Sequence, residues 1–272
     1  RVYWLQDLPE DPESKHLAND GWKRFNRIVY NSHWQMNRYQ MMYGIPFSHS
    51  TVLLNAIDPI PEVQKSKDKV KLIYTSTPHR GLEILVPVFI ELCKKYDNLE
   101  LDVFSSFKIY GWGERDKQYE ELFKICQEHP KINYHGSQPN EVVRKALAEA
   151  HIFAYPNIWL ETSCCALMEA MSAGCVCVHP NYGALPETAA NMTIMYNWDE
   201  NLNTHANRFF NVLEQMIYTV INDQYKQFTL PMKAYADSFY NWDLRKEQWR
   251  HFLLGIKDMP TEIIDKKLSM KQ

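Results

Sequence analysis

The stretch Glu161-Thr-Ser-Cys-Cys-Ala-Leu-Met-Glu169 places two carboxylates eight positions apart, shortly after the apolar run His151-Ile-Phe-Ala-Tyr155. Another apolar run, Cys175-Val-Cys-Val178, follows Gly174, so the pattern predicts strand, turn, helix, strand. On one continuous helix, eight residues would separate the carboxylates by about 12 Å along the axis and about 80° around it. This separation is too large for two carboxyl groups that share a proton, and it suits the two ends of one long polar ligand.

The same alternation continues on the N-terminal side of this stretch. Apolar runs and amphipathic patterns predict strands and helices in turn, at 70–75, 81–95, 99–105, 114–127, 131–135 and 139–149. Such alternation indicates an α/β fold with a parallel sheet covered on both faces. Ligands bind these sheets at the carboxyl ends of strands. The loops that follow predicted strands are 76–80, 135–138, 156–163 and 179–187.

The two ends of the chain differ in pattern from this central part. Short strands are predicted at 2–6, 27–31 and 51–54, with a helix that Ser32 caps, and residues beyond 201 are predicted to be mainly helical. A charged run at 64–69 indicates a linker. We therefore predict a short N-terminal half at 1–62, a Rossmann-like domain at 63–232 and C-terminal helices at 233–272.

Composition excludes several classes of protein. The chain has 272 residues, is 45% hydrophobic and carries a formal net charge of −3, without a basic stripe that would indicate a nucleic-acid partner. No apolar run approaches the roughly 18 residues of a transmembrane segment. The six cysteines lie mostly in apolar segments and lack zinc-site spacing, so we expect reduced core thiols and a cytoplasmic protein.

Five segments, taken in chain order, resemble GT-B retaining glycosyltransferases of the family-four type, the glycosyl transferases group 1. They are 31–35 with 54–58, 74–83, 135–137, 161–169 and 179–187. The resemblance implies a GT-B fold of two Rossmann-like halves, of which the N-terminal one is unusually short here. It also implies that the C-terminal helices at 233–272 pack back on the N-terminal half. It also implies transfer of a sugar from a nucleotide diphosphate sugar, with a UDP-sugar favoured, to an acceptor hydroxyl.

The resemblance assigns roles to particular residues. Glu161 would contact the transferred sugar, Glu169 the ribose diol, and Arg80 the diphosphate, for which its planar fork is well suited. The expected donor-binding residues are Ser76, Thr77, Arg80, Gly81, His135, Gly136, Glu161, Thr162, Ser163, Cys164, Cys165 and Glu169. Two simpler interpretations stay open: Arg80 as a solvated residue of a capped helix, and Glu161 as a carboxylate favoured by a helix N-terminus.

The sequence also departs from the family's pattern. Thr75 stands where the family has a second basic residue, and Gln6 stands where it has a histidine on the acceptor side. Asp7 could orient an acceptor hydroxyl or simply cap its loop, and we take Asp7, Arg80 and Glu161 as the candidate catalytic residues. The segment Thr162-Ser-Cys164 replaces the family's glycine-rich turn, so the sugar's identity does not carry over.

Other reactions fit the sequence less well. No Asp-x-Asp motif occurs, which argues against a donor site built on a divalent metal, and we expect neither a metal nor another cofactor. Gly111-Trp-Gly113 lacks the third glycine of a dinucleotide fingerprint, which disfavours a nicotinamide enzyme. The short N-terminal half and Gln6 favour one alternative, a non-catalytic sugar-nucleotide-binding or partner subunit. The acceptor stays unspecified.

Overall fold

The computed structural model describes residues 1–257 and confirms the α/β fold with parallel sheets. Three strands form the sheet of the N-terminal half in the order β1-β2-β3, all parallel. They are β1 (Val2–Trp4), β2 (Arg27–Tyr30) and β3 (Ser50–Val52), and helix α1 (His33–Tyr43) follows β2. The Ser32 hydroxyl accepts a hydrogen bond from the Gln35 N–H and caps α1, as predicted.

The second sheet has six parallel strands in the order β6-β5-β4-β7-β8-β9. The strands are β4 (Val70–Thr75), β5 (Leu99–Phe104), β6 (Ile132–Tyr134), β7 (Ile152–Ala154), β8 (Val176–Pro180) and β9 (Ile194–Tyr196). Leu72, Ile73 and Tyr74 of β4 are fully buried, as expected for a central strand with helices on both faces. The predicted bounds of β4 are confirmed.

Eight helices follow among the residues that the structure describes. They are α2 (Leu82–Cys93), α3 (Glu120–Glu128), α4 (Asn140–Glu149), α5 (Cys165–Ser172), α6 (Leu185–Thr188), α7 (Leu202–Ile221), α8 (Lys226–Phe239) and α9 (Trp242–Lys257). Within the described part of the chain, no helix is both long and apolar enough to span a bilayer. The cytoplasmic location stays a prediction.

One predicted helix, 114–127, begins later than expected. The stretch Gly113–Tyr119 forms 3-10 turns, and the α-helical conformation starts only at Glu120. The Asp116 carboxylate accepts hydrogen bonds from the Ser106 hydroxyl (2.6 Å) and the Phe107 N–H (2.8 Å). These bonds hold the segment against the end of β5, which explains why the helical pattern does not continue through it.

The two halves are joined at the segment around residue 60 and by the C-terminal helices. The Ile57 N–H donates to the Tyr240 carbonyl (2.7 Å), and the Ile60 N–H donates to the Ser172 hydroxyl (2.7 Å). Trp249 of α9 meets Trp4 of β1 edge to face, with ring centroids 5.1 Å apart. The predicted domain boundaries stay predictions, and residues 258–272 of the predicted C-terminal segment lie outside the described residues.

Candidate functional site

A cleft of about 830 Å³ opens where the carboxyl ends of the C-terminal strands face the N-terminal half. Three of the four loops proposed from the sequence contribute to its wall, namely those after β4, β6 and β7. The fourth, 179–187, does not line the cleft. The N-terminal half contributes residues from the loop after β1, together with Asn31 and Asn55.

The centre of the cleft holds a buried ion pair between two predicted site residues. Arg80 Nη1 lies 2.8 Å from Glu161 Oε1, and the Tyr155 hydroxyl donates to the same oxygen at 2.6 Å. Burial raises the pKa of Glu161, against the lowering effects of Arg80 and the Tyr155 hydroxyl. Burial, the largest single cause, lowers the pKa of Arg80, but the charge of Glu161 and smaller contributions from neighbouring groups together raise this pKa above its ordinary value. The guanidinium is therefore held charged next to Glu161.

The backbone of Glu161 is fixed from behind by the loop that follows β8. The Ala184 N–H donates to the Glu161 carbonyl at 2.9 Å. Gly183 has φ +60°, and a Cβ atom there would lie 2.7 Å from the same carbonyl oxygen. A glycine is required because the loop passes so close to Glu161. The loop thus positions Glu161 although it does not reach the cleft itself.

Several polar atoms around Arg80 are buried and have no hydrogen-bond partner within residues 1–257. They are the hydroxyls of Thr75, Thr77 and Ser163, and Nε of Arg80. Nearly all buried polar groups in folded proteins are paired, so a group of unpaired ones at a cleft indicates a polar ligand. Because Glu161 occupies Nη1 of Arg80, the opposite edge of the guanidinium is left for that ligand, and a phosphate group matches its geometry.

Two predicted donor-binding residues lie behind the wall and not in it. Gly81 has φ +113°, and a Cβ atom there would lie 2.1 Å from the Pro156 carbonyl oxygen, so its role is close packing of two loops. His135 Nε2 lies 2.8 Å from Asp102 Oδ1, and its ring stacks on Phe104 with centroids 4.3 Å apart. The residues of that loop that line the cleft are Gly136 to Gln138.

Glu169 lines the cleft and has a partner that sequence reasoning missed. Arg144 Nη1 lies 3.0 Å from Glu169 Oε1, and Arg144 Nη2 donates to the carbonyls of Asp58 (2.7 Å) and Pro59 (3.1 Å). Glu169 is thus connected through one guanidinium to the segment that joins the two halves. No local pattern marks Arg144, because its partners lie far away in sequence.

The segment between the two glutamates faces the cleft at the start of α5. Ser163, Cys164 and Cys165 line it, and the Thr162 hydroxyl donates to the Gln6 carbonyl at 2.8 Å, which connects the two halves. Burial raises the pKa of the Cys165 thiol to about 11 and that of Cys164 well above its ordinary value. Both thiols are therefore neutral, and the N–H groups of the helix start are the donors available to an anion.

Asp7 lies on the opposite wall of the cleft. Its backbone carbonyl accepts hydrogen bonds from Gln35 Nε2 (2.8 Å) and the Tyr39 hydroxyl (3.2 Å), which fix its position. Its carboxylate has no hydrogen-bond partner among the described residues. Burial, and then the nearby charges of Asp11 and Glu13, raise the pKa of Asp7. The carboxylate is left to accept a hydrogen bond from a ligand.

An aromatic cluster beside Arg80 was also missed from the sequence. The His79 ring stacks on Phe107 with centroids 5.1 Å apart and meets Trp159 edge to face at 4.7 Å. Burial, followed by the charges of Arg80 and Arg115, lowers the pKa of His79 to about 4. His79 is therefore a neutral side chain of the cleft wall, and it leaves Arg80 as the cationic group beside Glu161.

A further contact between the halves lies next to the cleft. The Glu187 carboxylate accepts hydrogen bonds from the backbone N–H groups of His33 and Trp34, both at 2.8 Å, at the start of α1. A carboxylate at this position satisfies free N–H groups and is favoured by the helix dipole. Glu187 thus holds the N-terminal half against the loop that positions Glu161.

Within residues 1–257, no three His, Cys, Asp or Glu side chains are grouped so that they could hold a metal ion. A metal-free reaction nevertheless stays a prediction.

Comparison with known families identifies the fold's relatives. The family model described as glycosyl transferases group 1 matches residues 57–203, more than half of the chain. The chain belongs to this family. The match spans all the cleft residues of the C-terminal half, and it confirms the resemblance inferred from the five sequence segments.

Two curated relatives are named as subunits of phosphatidylinositol N-acetylglucosaminyltransferase. The Homo sapiens protein is 30% identical over 142 residues, which cover 50% of this chain and 28% of that protein. The Arabidopsis thaliana protein is 26% identical over 168 residues, which cover 60% of this chain and 36% of that protein. The matched part thus spans about a third of the length of these relatives.

Solved structures of glycosyltransferases share the fold of this group 1 member. A glycosyltransferase from Rickettsia africae has a TM-score of 0.76 at 12% identity, with 95% of this chain and 71% of that chain covered. Anabaena HepE, solved in complex with UDP-glucose, has a TM-score of 0.67 at 16% identity, with 93% and 72% covered. At sequence identities this low, the structural similarity shows that the GT-B fold is shared.

Proposed function

We propose that this group 1 glycosyltransferase binds a nucleotide diphosphate sugar in the cleft and transfers the sugar to an acceptor hydroxyl with retention of anomeric configuration. The observation that carries the proposal is the buried pair of Arg80 and Glu161. Nε of this guanidinium has no hydrogen-bond partner within residues 1–257, and neither do the hydroxyls of Thr75, Thr77 and Ser163, which belong to the same cleft. This arrangement suits a ligand that combines an anionic group with a polyol.

The chemistry of each wall supports this placement of the donor. The free edge of Arg80, the hydroxyls of Thr77 and Ser163, and the N–H groups at the start of α5 bind the diphosphate. Glu161 accepts hydrogen bonds from hydroxyls of the transferred sugar. Glu169 accepts them from the ribose diol, and Gly136 lies on the side of the nucleobase.

A UDP-sugar is the first candidate for the donor. The curated relatives carry the name of an N-acetylglucosaminyltransferase, and HepE was solved with UDP-glucose. These names support UDP-N-acetylglucosamine and UDP-glucose as the first donors to test.

The reaction needs no dedicated base from this chain. The acceptor oxygen attacks the anomeric carbon from the face on which the diphosphate leaves. The bond between that carbon and the phosphate oxygen breaks as the new glycosidic bond forms, and the acceptor proton passes to the departing phosphate oxygen. Arg80 neutralises the charge that develops on the diphosphate, in place of a metal. Asp7 orients the acceptor hydroxyl.

The test is a donor reaction followed by NMR of the anomeric proton. We expect hydrolysis of UDP-glucose or UDP-N-acetylglucosamine, or transfer to an added alcohol, at the same rate with and without EDTA and with the α-configuration kept. Loss of activity in EDTA, or inversion of the anomeric centre, would contradict the proposal. Donor binding with neither hydrolysis nor transfer would instead indicate the non-catalytic binding subunit.

A further inference from the structure

Glu169 is held at one of its two carboxylate oxygens. Oε1 accepts hydrogen bonds from Arg144 Nη1 (3.0 Å) and from Asn140 Nδ2 (3.4 Å). Oε2 has no hydrogen-bond partner within residues 1–257. The side chain of Glu169 keeps 14% of its surface exposed, and the residue lines the cleft. The free oxygen is therefore the one that is left to accept hydrogen bonds from a bound ligand.

Arg144 holds this carboxylate from outside the cleft. It lies on α4, where Asn140 and Val143 line the cleft and Arg144 does not. A guanidinium is planar, and its donors have a fixed geometry, so a guanidinium that is bound on two sides also fixes the orientation of the carboxylate that it binds. Arg144 therefore acts on a ligand in the cleft through Glu169.

The other side of the Arg144 guanidinium is bound to backbone. Nη2 donates to the carbonyl oxygens of Asp58 (2.7 Å) and Pro59 (3.1 Å). They belong to the segment 57–60, which we call the junction because it connects the two halves. Backbone carbonyls have no side-chain rotamers to lose, so these bonds fix the guanidinium at a low cost in entropy. Through Arg144, the position of the junction determines the position of the Glu169 carboxylate.

The junction has a second contact with α5 that does not involve Arg144. The Ile60 N–H donates to the Ser172 hydroxyl (2.7 Å), and Lys233 Nζ donates to the Ile60 carbonyl (2.6 Å). Removal of the Ser172 hydroxyl would loosen the junction and leave the pair of Arg144 and Glu169 in place. The two contacts can therefore be separated by mutation.

A ribose diol is sensitive to the position of the carboxylate that binds it. Hydrogen bonds weaken steeply with distance and angle, and two neighbouring hydroxyls must reach the same carboxylate. A mobile carboxylate would lose rotamer freedom when the diol binds, and a carboxylate that is already fixed does not. Arg144 also supplies the countercharge for the partly buried Glu169 from a position that the ligand does not occupy.

We propose that Arg144 is a positioning residue of the nucleotide site, and that it orients Glu169 so that Oε2 faces the ribose diol of the donor. The affinity for the nucleotide then depends on an ion pair whose cation the nucleotide does not touch. This inference rests on the proposed function, because that function assigns the ribose diol to Glu169.

The experiment compares UDP with 2′,3′-dideoxy-UDP on the unmodified chain and on its variants. Each Kd is measured by calorimetric titration, and KM and kcat are measured with the UDP-sugar. Arg144→Ala removes the guanidinium, and Arg144→Lys keeps its positive charge. Glu169→Ala and the double variant complete a double-mutant cycle. Ser172→Ala is the matched control, because it loosens the junction without removing a partner of Glu169.

We expect Arg144→Ala to raise the Kd for UDP roughly fivefold and to change the Kd for 2′,3′-dideoxy-UDP hardly at all. The KM for the donor should rise by a similar factor while kcat changes less than about twofold, because the ribose contact is the same in the ground state and the transition state. In the Glu169→Ala background, Arg144→Ala should not weaken UDP further. Arg144→Lys should recover part of the affinity.

The control separates positioning from a general loss of stability. Ser172→Ala leaves the Ile60 N–H without its acceptor, so the melting temperature should fall. The ratio of the Kd for 2′,3′-dideoxy-UDP to the Kd for UDP should stay as in the unmodified chain, whereas Arg144→Ala should lower this ratio.

Three results would overturn the inference. In the first, Arg144→Ala leaves the Kd for UDP unchanged or lowers it. In the second, Arg144→Ala weakens UDP and 2′,3′-dideoxy-UDP equally, as a merely structural role requires. In the third, its effect on UDP persists in full in the Glu169→Ala background. If Arg144→Ala does not fold, Arg144→Lys provides the same three comparisons. Failure of the proposed function looks different, because neither nucleotide would then bind the unmodified chain.

Discussion

Replacing Glu161 by glutamine separates the sugar contact from the diphosphate contact more cleanly than any other single change. The amide side chain would keep the volume and an acceptor for the Tyr155 hydroxyl, so Glu161→Gln removes only the charge beside Arg80. Because Arg80 itself stays charged, the diphosphate keeps its cation. The sugar hydroxyls lose a charged acceptor.

The structure sets the expected magnitudes. Breaking a buried ion pair costs about 3–5 kcal/mol, and since 22% of the Arg80 side chain stays exposed we expect the lower end, about 3 kcal/mol. The melting temperature should fall by roughly 6 °C at about 2 °C per kcal/mol. A hydrogen bond to a charged group is worth about 1.5–3 kcal/mol, so kcat/KM for the donor sugar should fall roughly 10- to 150-fold.

The assay combines thermal unfolding, calorimetric titration with UDP, and transfer kinetics with the UDP-sugar. We expect the Kd for UDP to stay within about threefold while kcat/KM falls. Glu114→Gln, which removes the charge of an exposed surface ion pair, is the control and should change neither the Kd for UDP nor kcat/KM. If affinity for UDP falls as much as kcat/KM, or if kcat/KM does not change, the assignment of Glu161 to the sugar is wrong.

Four further predictions follow from the same contacts. Arg80→Ala should lower turnover roughly 100- to 1,000-fold, measured as UDP release at saturating donor, and unchanged turnover would refute its role at the diphosphate. Glu169→Ala should raise the Kd for UDP roughly tenfold or more but hardly change the Kd for 2′,3′-dideoxy-UDP, because only the ribose diol donates to this carboxylate. Burial lowers the pKa of both His151 and His179 to about 4, so their neutral forms stabilise the fold above pH 6.5. As the pH falls from 6.5 to 4, each of these histidines should lower the free energy of unfolding by up to about 3 kcal/mol, measured by urea unfolding. A free energy of unfolding that stays constant over this pH range would contradict the prediction. Glu187→Ala should lower the free energy of unfolding by about 1 kcal/mol and speed amide hydrogen exchange at the start of α1. Unchanged exchange at these amides would contradict the role of Glu187 between the halves.

All the strands except β9 could be predicted in their order along the chain, because periodicity is a local signal; the three residues of β9 were too few to show it. The bounds of β4 match the apolar run 70–75, and Ser32 caps α1 as its sequence indicates. The position of Glu161 before a helix and Glu169 inside it was also predicted correctly. These features depend on neighbouring residues alone, which is why the sequence suffices for them.

The partners of the site residues could not be predicted, because they come from distant parts of the chain. Arg144 is 25 residues from Glu169, and its other contacts lie before β4. Tyr155 offered the clearest missed signal, since it directly follows β7 at the carboxyl edge of the sheet. Gly81 and His135 stood in the right loops, but only the fold shows that close packing and an aspartate partner occupy them.

The central claim is that the cleft around Arg80 is a nucleotide diphosphate sugar site. The most direct test is a thermal-shift series with UDP, GDP, ADP and their common sugars, in EDTA, on the unmodified chain and on Arg80→Ala. One nucleotide at 100 times its Kd should stabilise the unmodified chain by about 2.7 kcal/mol, or roughly 5 °C, and stabilise Arg80→Ala much less. The account is contradicted if no nucleotide raises the melting temperature, or if Arg80→Ala is stabilised as strongly as the unmodified chain.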